Sequence, residues 1–119
     1  MFGKSIDVSD IPASTVDRMR KKGMSCDMHT YRVVCAAYNK RNELLGITTN
    51  TFRRDNVPRK RFAGYHCEMK ALHRWGSSLK TIVLMRLGHS GDILPIDCCP
   101  KCEAVLKKCG IRVLKIKGN

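Results

Sequence analysis

The spacing of apolar residues predicts that the chain opens with a helix and continues into a hairpin. Over residues 10–22, Val16 and Met19 are apolar at helical spacing, and Gly23 suits the end of a helix. Two apolar runs at 31–38 and 44–49 flank a short polar turn, which is typical of two antiparallel strands.

The second half of the chain alternates between helical and strand patterns. From 52 to 64 it is polar and basic, which favours a loop. Helices are predicted over 65–75 and 100–108, and strands over 81–87 and 112–116, with a turn at 89–92 between them. A hairpin followed by helix, strand, helix and strand predicts an α/β fold. We expect a mixed sheet of about four strands, right-handed crossovers and helices on the sheet faces.

Length and apolar content limit the class of protein. The 119 residues suit one domain, in which 1–28 form a helical segment and 29–119 a core. No run of ~18 apolar residues indicates a membrane span, and the first ten residues lack the pattern of a secretory signal. We therefore expect a cytoplasmic protein.

The charge balance is strongly basic. Lys and Arg number 23 against 10 Asp and Glu, which gives a net charge of +13. The densest cluster combines Arg53 and Arg54 with residues 59–61. Such a cluster is often only a solvated loop, but the excess along the whole chain favours a phosphate-bearing partner. Charge alone does not distinguish a free nucleotide from a nucleic acid.

Seven cysteines require an explanation. In a reducing compartment, metal binding or buried thiols explain them better than disulfides. Cys26, Cys35 and Cys109 are scattered, and each is predicted to be a small buried hydrophobe. On the helix at 100–108, the predicted inner side carries Ala104, Val105 and Cys109.

Two short motifs carry candidate chemistry. The first contains His66 and Glu68, and the second contains Cys99 and Cys102; each opens a predicted helix. Either motif alone is weak evidence, because His-x-Glu is common on surfaces and Cys-x-x-Cys also serves structural zinc and redox pairs. Together they are more specific.

The residue types in the two motifs suit a catalytic zinc site. Such a site uses three His or Cys ligands and leaves the fourth position to water. His66, Cys99 and Cys102 can supply those ligands, and the start of a helix favours the thiolate form. Glu68 is then a poor ligand but a suitable carrier of protons.

The other candidate residues have simpler explanations. His73 is expected to be a partly buried or surface residue, and His89 to lie in a turn. His29 precedes a predicted strand and has no identifiable partner residue in the sequence, and Trp75 is expected in the core. A nucleophilic Cys–His pair built from Cys67 or Cys98 would account for fewer residues than zinc binding does.

These motifs and their order resemble the cytidine deaminase superfamily, whose signature is His-x-Glu followed by Pro-Cys-x-x-Cys. The resemblance covers about residues 31–116, and the second half looks similar to compact deaminases of bacteriophages and large DNA viruses. It implies a three-layer fold, Zn2+ bound by His66, Cys99 and Cys102, and proton transfer by Glu68. Asn50 matches the position of a substrate-binding asparagine.

The resemblance also implies the reaction. The leading hypothesis is hydrolytic deamination of cytosine to uracil in a cytidine or deoxycytidine nucleotide. One alternative is a deaminase acting on single-stranded DNA or RNA. Another is a non-catalytic, zinc-containing module that binds nucleic acid or a protein partner.

Two departures from the family pattern affect these hypotheses. Cys98 replaces the usual proline, either as an inert substitution, as an alternative ligand or as a fourth ligand that would exclude water. The chain also stops after its predicted fourth strand, where family members continue into a fifth. We therefore expect an exposed sheet edge that a partner subunit covers, and hence a homo-oligomer.

Overall fold

The computed structural model describes residues 4–25, 32–50, 66–96 and 100–118. Its three α-helices are α1 (Ala13–Met24), α2 (Cys67–Trp75) and α3 (Pro100–Lys108). Its strands are β1 (Lys4–Ile6), β2 (Arg32–Tyr38), β3 (Leu44–Thr49), β4 (Thr81–Leu87), β5 (Ile93–Leu94) and β6 (Arg112–Ile116). Short 3-10 turns precede α1 and follow α2.

The strands form one mixed sheet in the order β1-β6-β4-β2-β3, and β5 pairs with the end of β4. Strand β2 is antiparallel to both β3 and β4, so β3 and β4 run in the same direction. Strand β6 is parallel to β4 and to β1. The predicted hairpin and the four predicted strands are confirmed.

Helices cover both faces of the sheet, which confirms the three-layer α/β prediction. On one face, Val16 and Met19 of α1 pack against Val34 and Met85 in one buried cluster. On the other face, α2 and α3 share a second buried cluster with the sheet. That cluster includes Cys35, Cys67, Met69, Ile82, Leu84, Cys102 and Leu106. None of the helices in the described ranges has the length and apolar character that crossing a membrane requires.

The expectation of an exposed edge beside β6 is wrong. Residues 4–6 form β1, which pairs in parallel with β6 from Lys4 opposite Leu114 to Ile6 opposite Ile116. The Lys117 N–H donates to the Ile6 carbonyl at 2.9 Å and extends this pairing. The chain therefore covers residues 114–116 of β6 with its own strand β1, and the three residues of β1 become the outer edge at this side of the sheet.

The predicted inner side of α3 is wrong for Ala104 and Cys109, whereas Val105 is half-buried and packs against the core as predicted. Cys102 and Leu106, four residues apart, are fully buried, whereas Ala104 and Cys109 are exposed. Cys109 follows the last helical residue and lies in a turn that Gly110 completes at φ +71°. The buried side is therefore set by i, i+4 spacing from Cys102. Cys35 is buried as predicted, and Cys26 lies outside the described residues.

Gly46 of β3 allows a close approach of α2 to the sheet. A Cβ atom at this position would lie 2.5 Å from Cζ2 of Trp75, which packs against the core as predicted. We expect Gly46→Ala to lower the free energy of unfolding by about 1–3 kcal/mol, because the indole has to move. Urea denaturation measures this loss.

A double-mutant cycle separates the collision with Trp75 from other effects of the alanine. In a Trp75→Phe background, the same Gly46→Ala change should cost much less, because the smaller ring leaves room for a methyl group. Equal costs in both backgrounds would show that the contact with the indole does not require glycine at this position.

Candidate active site

The candidate site lies where α2 and α3 begin, at the end of the sheet where β3 stops. His66 is the residue that precedes the first turn of α2, and Pro100 is the first residue of α3. Thr48, near the end of β3, donates its hydroxyl hydrogen to the Cys67 carbonyl at 2.7 Å. This buried hydrogen bond attaches the start of α2 to the sheet.

Three of the residues predicted from the motifs come together at this point. A ring nitrogen of His66, a carboxylate oxygen of Glu68 and Sγ of Cys102 all lie within 4.8 Å of one another. Glu68 and Cys102 are buried and His66 is half-buried. Glu68 in the first turn of α2, Cys102 in the first turn of α3 and His66 before α2 therefore face one small space.

Glu68 is the one buried acidic side chain among the described residues, with 5 % of its surface exposed. Burying a carboxylate is costly unless neighbouring groups stabilise it. The Cys67 thiol lies 3.1 Å from Oε1 of Glu68 and donates its hydrogen to that oxygen. Buried carboxylates with specific partners in a polar cluster are typical of functional sites.

Cys67 remains a neutral thiol in this environment. Its pKa is raised well above the usual value by burial first, then by a hydrogen bond with Cys35 and by the negative charge of Glu68. A catalytic cysteine needs the opposite, a stabilised thiolate. Cys67 is therefore a hydrogen-bond donor to Glu68 rather than a nucleophile, which disfavours the Cys–His alternative at this position.

Asn50 directly follows β3, two residues beyond Thr48. Its side-chain oxygen accepts a hydrogen bond from the Val33 N–H at 2.9 Å, and its own N–H donates to the Val33 carbonyl at 3.2 Å. The side chain thus extends the pairing of β3 with β2 and is held in a fixed orientation. Since residues two apart in an extended strand point to the same face, Asn50 is placed on the side of Thr48 and α2.

Some of the candidate residues named from the sequence lie away from this site or outside the described residues. Cys99, the third predicted metal ligand, and Cys98 are outside the described residues, as is His29. His73 and His89 are exposed and are not part of the group formed by His66, Glu68 and Cys102. The turn predicted around His89 is present, with the Gly88 N–H donating to the Asp92 carbonyl at 2.9 Å.

The described residues suit a zinc ion chemically. Zinc prefers imidazole nitrogen and thiolate sulfur, and His66 and Cys102 offer one of each in one small space. The N-terminal turn of α3, which carries Cys102, favours the negatively charged thiolate. A carboxylate is also a possible zinc ligand. The geometry therefore fits two arrangements, one in which Glu68 binds the ion and one in which Glu68 lies beside it.

Sequence reasoning did not predict the contacts that two residues make in the site. Thr48 fixes α2 through its hydroxyl, and Cys67 contacts Glu68 through its thiol. The position of Thr48 in an apolar strand gave no sign of its contact. The one sequence feature that indicated a contact of Cys67 with the site was its position between His66 and Glu68.

Comparison by sequence and by structure gives different results. No protein-family model matches the chain, and no curated protein matches it. Solved structures do match over most of the chain, and among them are cytidine deaminases from three bacteria. The fold is therefore the α/β fold of cytidine deaminases.

Three of these structures give the extent of the likeness. The cytidine deaminase of Mycobacterium leprae matches with a TM-score of 0.56 and 15% identity over 92% of each chain. That of Burkholderia pseudomallei has a TM-score of 0.57 and 13% identity, covering 87% of this chain and 83% of its own. That of Mycobacterium tuberculosis has a TM-score of 0.53 and 15% identity, covering 89% and 85%. At these identities the likeness concerns the fold.

Proposed function

We propose that this protein is a zinc-dependent deaminase that hydrolyses cytosine to uracil in a cytidine or deoxycytidine nucleotide. The observation that carries the proposal is the grouping of His66, Glu68 and Cys102 within 4.8 Å at the helix starts of a cytidine deaminase fold. His66, Cys102 and Cys99 would hold the ion, with Cys99 assigned from its motif alone.

A zinc ion bound in this position supplies the activation of water that hydrolysis at neutral pH requires. The chain supplies the proton transfers. The Glu68 carboxylate takes one proton from the attacking water and passes it to the ring nitrogen. It then takes the remaining proton from the hydroxyl group added to the carbon and gives it to the departing amine. The carbon–nitrogen bond breaks, a carbonyl replaces the amine, and ammonia leaves. The Cys67 thiol orients Glu68 by donating to Oε1.

Two observations support the choice of substrate class. The similar structures are cytidine deaminases, which favours cytosine over adenine. The net charge of +13 favours a substrate that carries phosphate over a free nucleoside. Asn50, held at the end of β3, is proposed to contact the substrate. A cytoplasmic location and assembly into a homo-oligomer remain predictions.

The first test is ammonia release by zinc-loaded protein from a panel of substrates. The panel contains cytidine, deoxycytidine, their monophosphates, single-stranded DNA, single-stranded RNA and an adenine-bearing RNA hairpin. We expect turnover of a cytosine monophosphate, with slower turnover of the matching nucleoside. Turnover restricted to a polynucleotide would replace the nucleotide with a nucleic-acid substrate. No turnover by a folded protein that holds zinc would favour the non-catalytic module.

A further inference from the structure

A basic groove runs along β3 on the outer side of the sheet. We call it the β3-edge groove and define it by Arg18, Lys21 and Lys22 of α1, residues 45–47 of β3, and Arg74 and Trp75 of α2. Its volume is about 520 Å³. Strand β3 is the last strand at this side of the sheet that the described residues form.

Positive charge reaches the groove from both faces of the sheet. Arg18, Lys21 and Lys22 are spaced three and four residues apart, so they share one side of α1. Arg74 comes from α2, which packs on the opposite face. All four side chains are exposed, and no Asp or Glu lines the groove. Arg74 is distant in sequence from the three cations of α1, and the fold brings it to the same groove.

The floor of the groove is largely apolar and well ordered by packing. Leu45 and Trp75 are half-buried and contact one core cluster, while Ile47 is buried in the other. The Arg74 guanidinium lies 5.2 Å from the centre of the Trp75 ring, within the range of a cation–π contact. This contact holds one cation of the groove in place before any ligand binds.

We propose that the β3-edge groove binds single-stranded nucleic acid, with phosphates on its cationic walls and unpaired bases against its apolar floor. Cationic walls that follow a strand and an apolar or aromatic surface for the bases are the features that single-strand sites combine. A duplex hides its base faces by stacking, and a membrane surface is too flat to enter a groove. The proposal concerns binding and does not depend on the deaminase activity.

The groove is separate from the candidate active site. His66 precedes α2 and Trp75 is its last residue, so the two sites lie at opposite ends of this helix. Nine residues of helix span about 13 Å at 1.5 Å per residue. Groove variants therefore leave His66, Glu68 and Cys102 unchanged, and binding can be measured without turnover.

The test compares two charge reversals in matched positions. Lys21 and Lys22 are in the last turn of α1, and Lys107 and Lys108 are in the last turn of α3. All four side chains are exposed. The variants K21E/K22E and K107E/K108E change the net charge equally and alter the same part of a helix dipole. Thermal melts of both variants confirm that each is folded.

The probe is a fluorescent oligothymidylate of 15 nucleotides, which contains no amino-bearing base that deamination could alter. We expect K21E/K22E to weaken its binding about tenfold or more, and K107E/K108E to change it by no more than about threefold. The plot of log K against log salt has a negative slope. In the neutral variant K21Q/K22Q the magnitude of this slope should fall by about 0.7 for each phosphate that the lysines no longer neutralise. A matching duplex and vesicles of anionic phosphatidylserine serve as competitors.

Three outcomes would overturn the proposal. Equal losses in both charge-reversal variants would show that net charge, rather than the groove, binds the oligonucleotide. If the duplex competes as strongly as the single strand does, the apolar floor does not contact unpaired bases. Vesicle binding that depends on Lys21 and Lys22, without oligonucleotide binding, would make the partner an anionic lipid surface.

Discussion

Glu68→Gln is expected to lower kcat by about 10²- to 10⁴-fold while the protein keeps its zinc and its fold. Glutamine retains the size of the side chain and an oxygen that can accept the Cys67 thiol hydrogen, but it cannot carry a proton between water and substrate. It also removes a charge that is 5 % exposed, so we expect equal or greater stability. Ammonia release, zinc content and thermal melting test the three parts separately.

Glu103→Gln is the matched control for this experiment. Glu103 is in the first turn of α3 as Glu68 is in the first turn of α2, so both changes remove one negative charge near a helix start. Glu103 is half-buried and is not part of the grouped residues. We expect it to retain most of the activity. Similar losses in both variants, or loss of zinc from Glu68→Gln, would contradict the assignment of Glu68 as the proton carrier.

Cys102→Ser is expected to abolish zinc binding, from about one ion per chain to almost none. A serine hydroxyl is a much poorer zinc ligand than a thiolate, and Cys102 is one of two nitrogen or sulfur donors in the grouped residues. Metal analysis of the purified protein measures this directly. Because bound zinc stabilises the folded state, a chelator should lower the Tm of the original protein and leave that of the variant unchanged.

Cys35→Ser provides the control for the structural cost of this change. Cys35 and Cys102 are both fully buried in the same core cluster, so each substitution introduces a hydroxyl into comparable surroundings. We expect the Cys35 variant to lose stability but keep zinc. Zinc loss of equal size in both variants would mean that disturbance of the core, rather than removal of a ligand, releases the ion.

Elements with a strong local pattern were predicted well. The bounds of β3, α3 and β6 agree with the sequence prediction, because polar turns and glycines mark their ends. Strand β1 was not predicted, since its three residues are polar or half-buried and form a strand only by pairing with β6. The two-residue β5 likewise depends on its partner β4. Pairing between distant segments leaves no local period in the sequence.

The candidate site shows the same division between local and distant information. The motifs predicted that His66 and Cys102 stand at helix starts, and α2 and α3 begin there. The hydrogen bond from Thr48 to Cys67 could not be predicted, because it depends on how α2 lies against β3. The β3-edge groove is similar, since Arg74 joins Arg18 and Lys22 only after two helices pack on opposite faces.

The pairing of β1 with β6 has a consequence for the order in which the protein is made. Strand β1 leaves the ribosome before its neighbour, and β6 is synthesised only after residues 7–111 have followed. Strand β1 cannot pair with β6 until residues 112–116 have been synthesised. Joining segments so distant in sequence is slow because the long intervening loop must be closed. This strand pair is therefore expected to be among the last parts of the sheet to form on the ribosome.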